Sequence, residues 1–75
     1  MSTPNFDFRM ARVRPMLAGL NSELRNEVQQ ACAAPVNLEA LAGVGPILAS
    51  LVALAEAESM TPDELAAEIL AVVTP

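Results

Sequence analysis

The sequence predicts a small all-α protein, in which four to five short helices form a bundle within a single domain. Apolar residues make up 53% of the 75 residues, which is too large a share for an intrinsically disordered chain. Alanine and leucine, both strong helix formers, dominate these apolar residues, and aromatic residues are only 3%. Six prolines and three glycines divide the chain into short segments. We assign residues 1–5 to a flexible lead and residues 6–75 to the helical domain.

The first helix is predicted over residues 6–13. Asn5 or Asp7 can begin it, because a short polar side chain can accept a hydrogen bond from the first free amides of a helix. Pro15 is expected to end it, because the proline ring clashes with the preceding turn and pushes Arg14 toward an extended conformation.

The next segment, residues 15–33, carries apolar residues at spacings of three and four, which predicts helical structure. Pro15 suits the first position of this helix. Gly19, Asn21 and Ser22 favour a break, after which Asn21 or Ser22 would cap a later start. The pattern does not decide whether this segment forms one helix or two.

Two further helices are predicted on either side of a glycine-rich turn. Asn37 can cap a helix of one to two turns over residues 38–42, which ends at Gly43. Pro46 then opens a helix over residues 46–57 whose apolar side chains cover more than half of its circumference. A helix this apolar is usually central in a fold or paired with another chain.

The last helix has the strongest start signal in the chain. Thr61 is placed as its cap, and Pro62 occupies its first position. Glu64 stands three residues after the cap, where it completes a capping box. This helix is predicted to end before Thr74.

Charge is distributed unevenly along the chain. The first 25 residues carry four arginines against two carboxylates, whereas residues 26–75 carry seven carboxylates and no basic side chain. The net charge of −5 disfavours a general nucleic-acid-binding protein, because such proteins bind largely by neutralising phosphates. Arg9, Arg12 and Arg14 form the basic cluster, which can contact a phosphate, an acidic partner or the acidic half of this chain.

Residues 38–57 place the sequence Gly43-Val44-Gly45 between two short apolar helices. This pattern resembles the helix-hairpin-helix family, in which two short helices are joined by a Gly-hydrophobic-Gly turn. The resemblance implies that backbone amides of the turn hold a DNA phosphate without reading the base sequence. The residues assigned to this DNA contact are Gly43, Val44 and Gly45, together with Arg9 and Arg12. Ordinary helix capping at the same turn explains these glycines without a ligand.

The residues offer little for catalysis. The chain has no histidine, tyrosine or tryptophan, and its basic residues are all arginine, so the usual general bases reduce to carboxylates. Cys32 follows the apolar spacing of its segment, which predicts a buried small hydrophobic residue rather than a nucleophile. Glu56 and Glu58 lie near the C-terminal end of a helix, where the helix dipole disfavours carboxylates. We interpret them as solvated side chains in preference to an acidic patch for a basic partner or a metal ion. We expect no enzyme activity, no cofactor and no metal site.

No membrane-spanning segment is predicted. The longest uncharged stretch, residues 40–55, is shorter than the roughly 20 residues that cross a bilayer. Polar and charged residues near the start argue against a signal peptide, and a single cysteine favours a reducing compartment. We therefore expect a cytoplasmic location.

These observations favour a small non-enzymatic interaction module, such as an adaptor, an assembly factor or an inhibitor, that binds another protein or itself. A core rich in alanine is thin, so a protein partner or a homo-oligomer would add stability. The helix over residues 46–57 has two apolar faces, and we expect one to remain exposed as a docking surface unless the short helices wrap it completely. Its assigned contact residues are Leu48, Leu51, Val52, Glu56 and Glu58. Binding of DNA phosphate by the glycine-rich turn is the alternative function.

Overall fold

A computed structural model describes residues 4–74, and within this range the chain forms five α-helices and no strand. The all-α prediction is therefore confirmed. The helices are α1 (Pro4–Ala18), α2 (Ser22–Cys32), α3 (Leu38–Val44), α4 (Pro46–Ala57) and α5 (Pro62–Val73).

Helix α4 is central and packs against α1, α3 and α5, while α2 packs against α3 and α5. Helix α1 runs antiparallel to α4. Near its start, the Asn5 side-chain amide donates to a carboxylate oxygen of Glu58, at 2.8 Å. One turn later, the Arg9 guanidinium donates to the hydroxyl of Ser50, at 2.7 Å. The far end of α1 lies beside the first turn of α4.

The five helices share one core. Each helix contributes a large side chain with no exposed surface: Phe6 from α1, Val28 from α2, Leu41 from α3, Leu51 from α4 and Ile69 from α5. Because every helix buries its apolar stripe against the others, no helix depends on intrinsic propensity alone.

Helix α1 starts earlier than the sequence predicts. Pro4 and Asn5, which the sequence assigned to the lead, are already helical, and residues 1–3 of that lead lie outside the described range. Proline is tolerated here because the first helical residues need no amide donor.

Helix α1 also continues through Pro15 to Ala18, so the predicted helix end before Pro15 is wrong. Pro15 lies in the last turn, where its missing amide leaves only the carbonyl of Ala11 without its usual partner. That loss is offset because the extra turn buries Leu17, which is 1% exposed. The amide of Gly19 closes this turn by donating to the carbonyls of Pro15 and Met16, at 3.1 and 3.2 Å.

Residues 15–33, for which the sequence pattern did not decide between one helix and two, belong to two helices that are separated between Ala18 and Ser22. Asn21 is the cap of α2, and its side-chain oxygen accepts from the amide of Leu24 at 2.8 Å. Arg25 then reaches back, and its guanidinium donates to the carbonyls of Ala18 and Leu20 at 3.3 and 3.2 Å. These bonds satisfy free carbonyls at the end of α1 and join the two helices.

Helices α3 and α4 are separated by Gly45 alone. Asn37 caps α3 as predicted, and its side-chain oxygen accepts from the amide of Ala40 at 3.0 Å. Helix α3 continues beyond its predicted end at Gly43 to Val44, and α4 starts at Pro46 as predicted. Gly45 has an extended backbone, with φ 178° and ψ 170°.

Most of the apolar surface of α4 that was expected to remain exposed is buried. Leu48, Leu51, Val52 and Ala55 are 2%, 0%, 6% and 3% exposed. The physical reason is that α1, α3 and α5 pack around α4 from different sides. The face formed by Leu48, Val52 and Ala55 is therefore part of the core, whereas Ile47 and Leu54 on the other face are half-buried.

The capping box of α5 is confirmed. The Thr61 hydroxyl accepts from the amide of Glu64 at 3.1 Å, and the Glu64 carboxylate accepts from the amide of Thr61 at 3.0 Å. Helix α5 then buries Leu65, Ala66, Ile69 and Val73 against the core.

Thr61→Ala is expected to lower the free energy of unfolding by about 1 kcal/mol, because the amide of Glu64 loses its acceptor. Urea titration followed by circular dichroism measures the change. Thr61→Ser, which keeps the hydroxyl, should lose much less. Superimposable curves for the parent and the alanine variant would contradict the stabilising role of this cap.

Candidate functional site

An apolar groove lies where the end of α1, the start of α2 and the junction of α3 with α4 meet. Its volume is about 220 Å³, and apolar side chains and a glycine line it. Leu17 and Leu48 form its floor and are 1% and 2% exposed. Met16 and Pro46 are exposed along its walls, whereas the other wall side chains are half-buried: Leu20, Leu24, Val44 and Ile47.

A second feature, the α1 stripe, leads into this groove. It consists of Phe8, Arg12 and Met16, which lie on one face of α1 because they are four residues apart. Among residues 4–74, Phe8 and Met16 are the exposed large hydrophobic side chains, at 67% and 55%. Arg12 lies between them, with its guanidinium carbon 5.8 Å from the centroid of the Phe8 ring, a distance typical of cation–π contacts. Met16 belongs to both the stripe and the groove.

Arg9, beside the α1 stripe, and Arg12, within it, make no contact in the described part of the chain that neutralises their positive charge. Arg9 and Arg12, together with Val13 and Met16, line a shallow depression that adjoins the groove through Met16. The Arg9 guanidinium donates to a neutral hydroxyl, and Arg12 lies over a neutral ring. Within residues 4–74 neither guanidinium has a carboxylate partner. Arg14 is exposed on the opposite side of α1, two positions from Met16.

The residues assigned to protein binding do not converge on one exposed surface. Leu48, Leu51 and Val52 are in the core. Glu56 is exposed, whereas Glu58 is half-buried and accepts a hydrogen bond from Asn5. Leu48 alone touches the groove, as part of its floor.

Sequence reasoning missed the α1 stripe, although a signal for it was present. The spacing of Phe6, Met10 and Leu17 defines the buried face of α1 and leaves Phe8 and Met16 off that face. Because Pro15 was expected to end the helix, Met16 was assigned to a different element from Phe8. The two side chains were therefore not considered together.

The glycine-rich turn is open. Gly43 is exposed, Val44 and Gly45 are half-buried, and a Cβ atom at either glycine would meet nothing within 4 Å. No side chain caps the N-terminus of α4, so its first amides have no side-chain acceptor. These amides and the helix dipole favour an anion. The same turn forms part of the apolar groove, however, through Val44, Gly45 and the neighbouring Ile47.

Cys32 is buried and is 4% exposed, as predicted. Burial removes the thiolate from water and therefore raises the pKa of the Cys32 thiol. Both effects make the side chain a packing residue rather than a reactive nucleophile.

Among residues 4–74, no group of three or more histidine, cysteine, aspartate or glutamate residues is placed to hold a metal ion. In the same range, no helix combines the length and the apolar character required to cross a bilayer.

At about pH 8, the thiol of folded Cys32 is expected to react with a disulfide reagent far more slowly than the thiol of the urea-unfolded chain. Burial limits access and the raised pKa lowers the thiolate fraction. The release of the coloured thiol product measures both rates. Equal rates in the folded and unfolded chains would contradict the buried position.

No protein-family model matches the chain, and neither the curated proteins nor the solved structures contain a match. The resemblance of residues 38–57 to the helix-hairpin-helix family therefore depends on the residue pattern alone.

Proposed function

We propose that this protein is a non-enzymatic interaction module that binds a helical segment of a partner protein in the apolar groove. One observation carries the proposal: exposed and half-buried apolar side chains of four helices surround a buried floor. Apolar side chains that lie singly on a surface need no explanation, but a concave cluster next to further exposed apolar residues is typical of an interaction site. Such a module would act as an adaptor, an assembly factor or an inhibitor.

The shape and chemistry of the groove fit an amphipathic helix. Helix-in-groove recognition uses apolar side chains at spacings of three and four, which insert into a hydrophobic cleft. Burying one leucine-sized side chain contributes about 1.5–3 kcal/mol, so two or three such residues supply useful affinity. Met16 suits the rim because its unbranched, polarisable side chain adapts to different partners.

The glycines of the turn give further support. Gly43 lies inside α3, where glycine is less stable than alanine by roughly 0.5–1 kcal/mol, yet alanine would fit without a clash. Gly45 has an extended backbone that other residues adopt, and a Cβ would have open space there too. Glycine is a common cap residue, which explains Gly45 locally. At both positions the open turn leaves room for a partner to approach the backbone closely.

A neutral probe tests the groove without contributions from charge. The probe is a blocked helical peptide of about four turns, roughly 15 residues, with leucines at spacings of three and four and glutamines at its polar positions. We expect saturable binding, with amide chemical-shift changes concentrated at Met16, Leu20, Gly45 and Ile47. Met16→Gln should weaken this binding about fivefold, because it puts a polar group at the rim.

Ala67→Gln is the matched control, since Ala67 is exposed on α5 and does not line the groove. Its affinity for the neutral probe should equal that of the parent. Absence of saturable binding, or shift changes located away from the groove, would overturn the proposal.

Binding of DNA phosphate is the second candidate, and the uncapped N-terminus of α4 is the observation that favours it. Arg9 reaches Ser50 in the following turn of α4, so a basic group lies along the same helix. The acidic balance of the chain and the apolar side chains of Val44 and Ile47 beside the turn act against a phosphate.

Gly45→Asp separates this candidate from the first. An aspartate at the cap of α4 offers its own carboxylate to the free amides, which preserves the helix but blocks a second anion. If the turn holds phosphate, binding of duplex DNA at low salt should fall steeply with added salt and disappear in this variant. A parent protein that does not bind duplex DNA at low salt eliminates the second candidate.

A further inference from the structure

We infer that the segment bound in the groove is acidic as well as apolar, and that its carboxylates pair with Arg9 and Arg12 while its apolar side chains fill the groove. This inference rests on the proposed function and specifies the chemistry of the partner. The juxtaposition that carries it is the shared side chain of Met16, which joins the depression beside the two arginines to the apolar groove.

The two guanidinium groups are held in place without losing their charge. Arg9 is anchored by a hydrogen bond to the Ser50 hydroxyl at 2.7 Å, and Arg12 is held over the ring of Phe8. Each guanidinium has five donors, so these contacts leave donors free for a carboxylate. Arg9 and Arg12 are three residues apart, and Met16 follows four residues after Arg12, so all three lie along one face of α1.

The charge of the remaining chain favours this location over others for an acidic segment. Residues 26–75 carry seven carboxylates and no basic side chain, so an acidic segment finds no complementary charge in that part of the chain. At physiological ionic strength, exposed charges are largely screened beyond about 8 Å. The local arginines therefore determine where an acidic segment docks, even though the net charge is negative.

A second copy of this chain does not supply a segment that is both acidic and apolar. In a two-fold symmetric dimer the same surface patch faces itself, and no carboxylate of the described range lines the groove or the depression to pair with Arg9 and Arg12 of the second copy. In a head-to-tail arrangement, the acidic part of the second copy would have to supply large apolar side chains. Among residues 4–74, however, the exposed ones are Phe8 and Met16, both on the basic helix. The partner is therefore a different chain.

The stripe and the groove together define the length of the partner. Phe8 and Met16 are eight residues apart on α1, which corresponds to about 12 Å at 1.5 Å per residue. The groove extends this surface past Met16 toward Ile47. A helix of about four turns, roughly 22 Å long, covers both features.

Three peptides with the same leucine pattern test the inference. Their polar positions carry glutamate, glutamine or lysine, and the glutamine peptide is the neutral probe defined above. At about 50 mM salt, the glutamate peptide should bind about three- to tenfold more tightly than the glutamine peptide, and the lysine peptide should bind more weakly than either. The difference between the glutamate and glutamine peptides should shrink at high salt, because exposed ion pairs are screened.

Paired variants locate the effect on the two arginines. Arg9→Gln combined with Arg12→Gln should bring the ratio of the glutamate-peptide affinity to the glutamine-peptide affinity, both measured on the same variant, close to one. Arg14→Gln is the matched control, because Arg14 carries the same charge but lies on the opposite side of α1 from Met16. This control should retain most of the glutamate advantage. Circular dichroism verifies that each variant keeps its helices.

The outcomes separate the two proposals. Equal binding of the glutamate and glutamine peptides overturns the acidic partner and leaves the groove function standing. Failure of all three peptides to bind overturns both. A glutamate advantage that survives the double variant, or is lost equally in Arg14→Gln, overturns the role of Arg9 and Arg12. If that double variant loses duplex DNA binding while the peptides show no charge preference, the arginines serve phosphate instead.

Discussion

The antiparallel packing of α1 along α4 is the constraint on which the surfaces of this protein depend. It aligns Arg9 with Ser50 at 2.7 Å and places the last turn of α1 beside the first turn of α4. This last turn exists although Pro15 lies within it, and an interior proline costs about 3 kcal/mol. Burial of Leu17 contributes roughly 1.5–3 kcal/mol, and the bonds from the Arg25 guanidinium to the terminal carbonyls add to it. Together these contacts offset the proline.

The same packing determines where apolar surface remains exposed. A chain of this size hides only about 60% of the surface of its unfolded form, so some apolar area stays in contact with water. Helix α4 is the most apolar element, yet its neighbours cover it and Leu51 has no exposed surface. The exposed area lies instead where α1, α2, α3 and α4 meet and along α1, where Phe8 and Met16 are the principal contributors.

Charge and apolar surface meet on one face of α1, and this combination distinguishes the proposed ligands. A DNA phosphate needs exposed amides and positive charge, which the turn and the arginines offer, but it gains nothing from an apolar groove. An acidic amphipathic helix uses both the groove and the arginines. Arg9 and Arg12 make contacts with a neutral hydroxyl and a neutral ring, which orient them without neutralising them. The surface therefore suits a ligand with both kinds of group.

The sequence by itself determined the all-α class, the capping residues Asn37 and Thr61, the start of α4 at Pro46 and the burial of Cys32. These features are local, because a cap is satisfied by an amide three residues away and a periodic stripe is visible within one helix. Only the tertiary structure decided that α1 passes Pro15, that Leu48, Leu51 and Val52 of α4 are buried and that a groove forms. Those outcomes depend on contacts between distant residues, such as Arg9 with Ser50, which are separated by 41 positions. Local patterns do not specify which of several apolar faces finds a partner, because burial is settled by the packing of all five helices together.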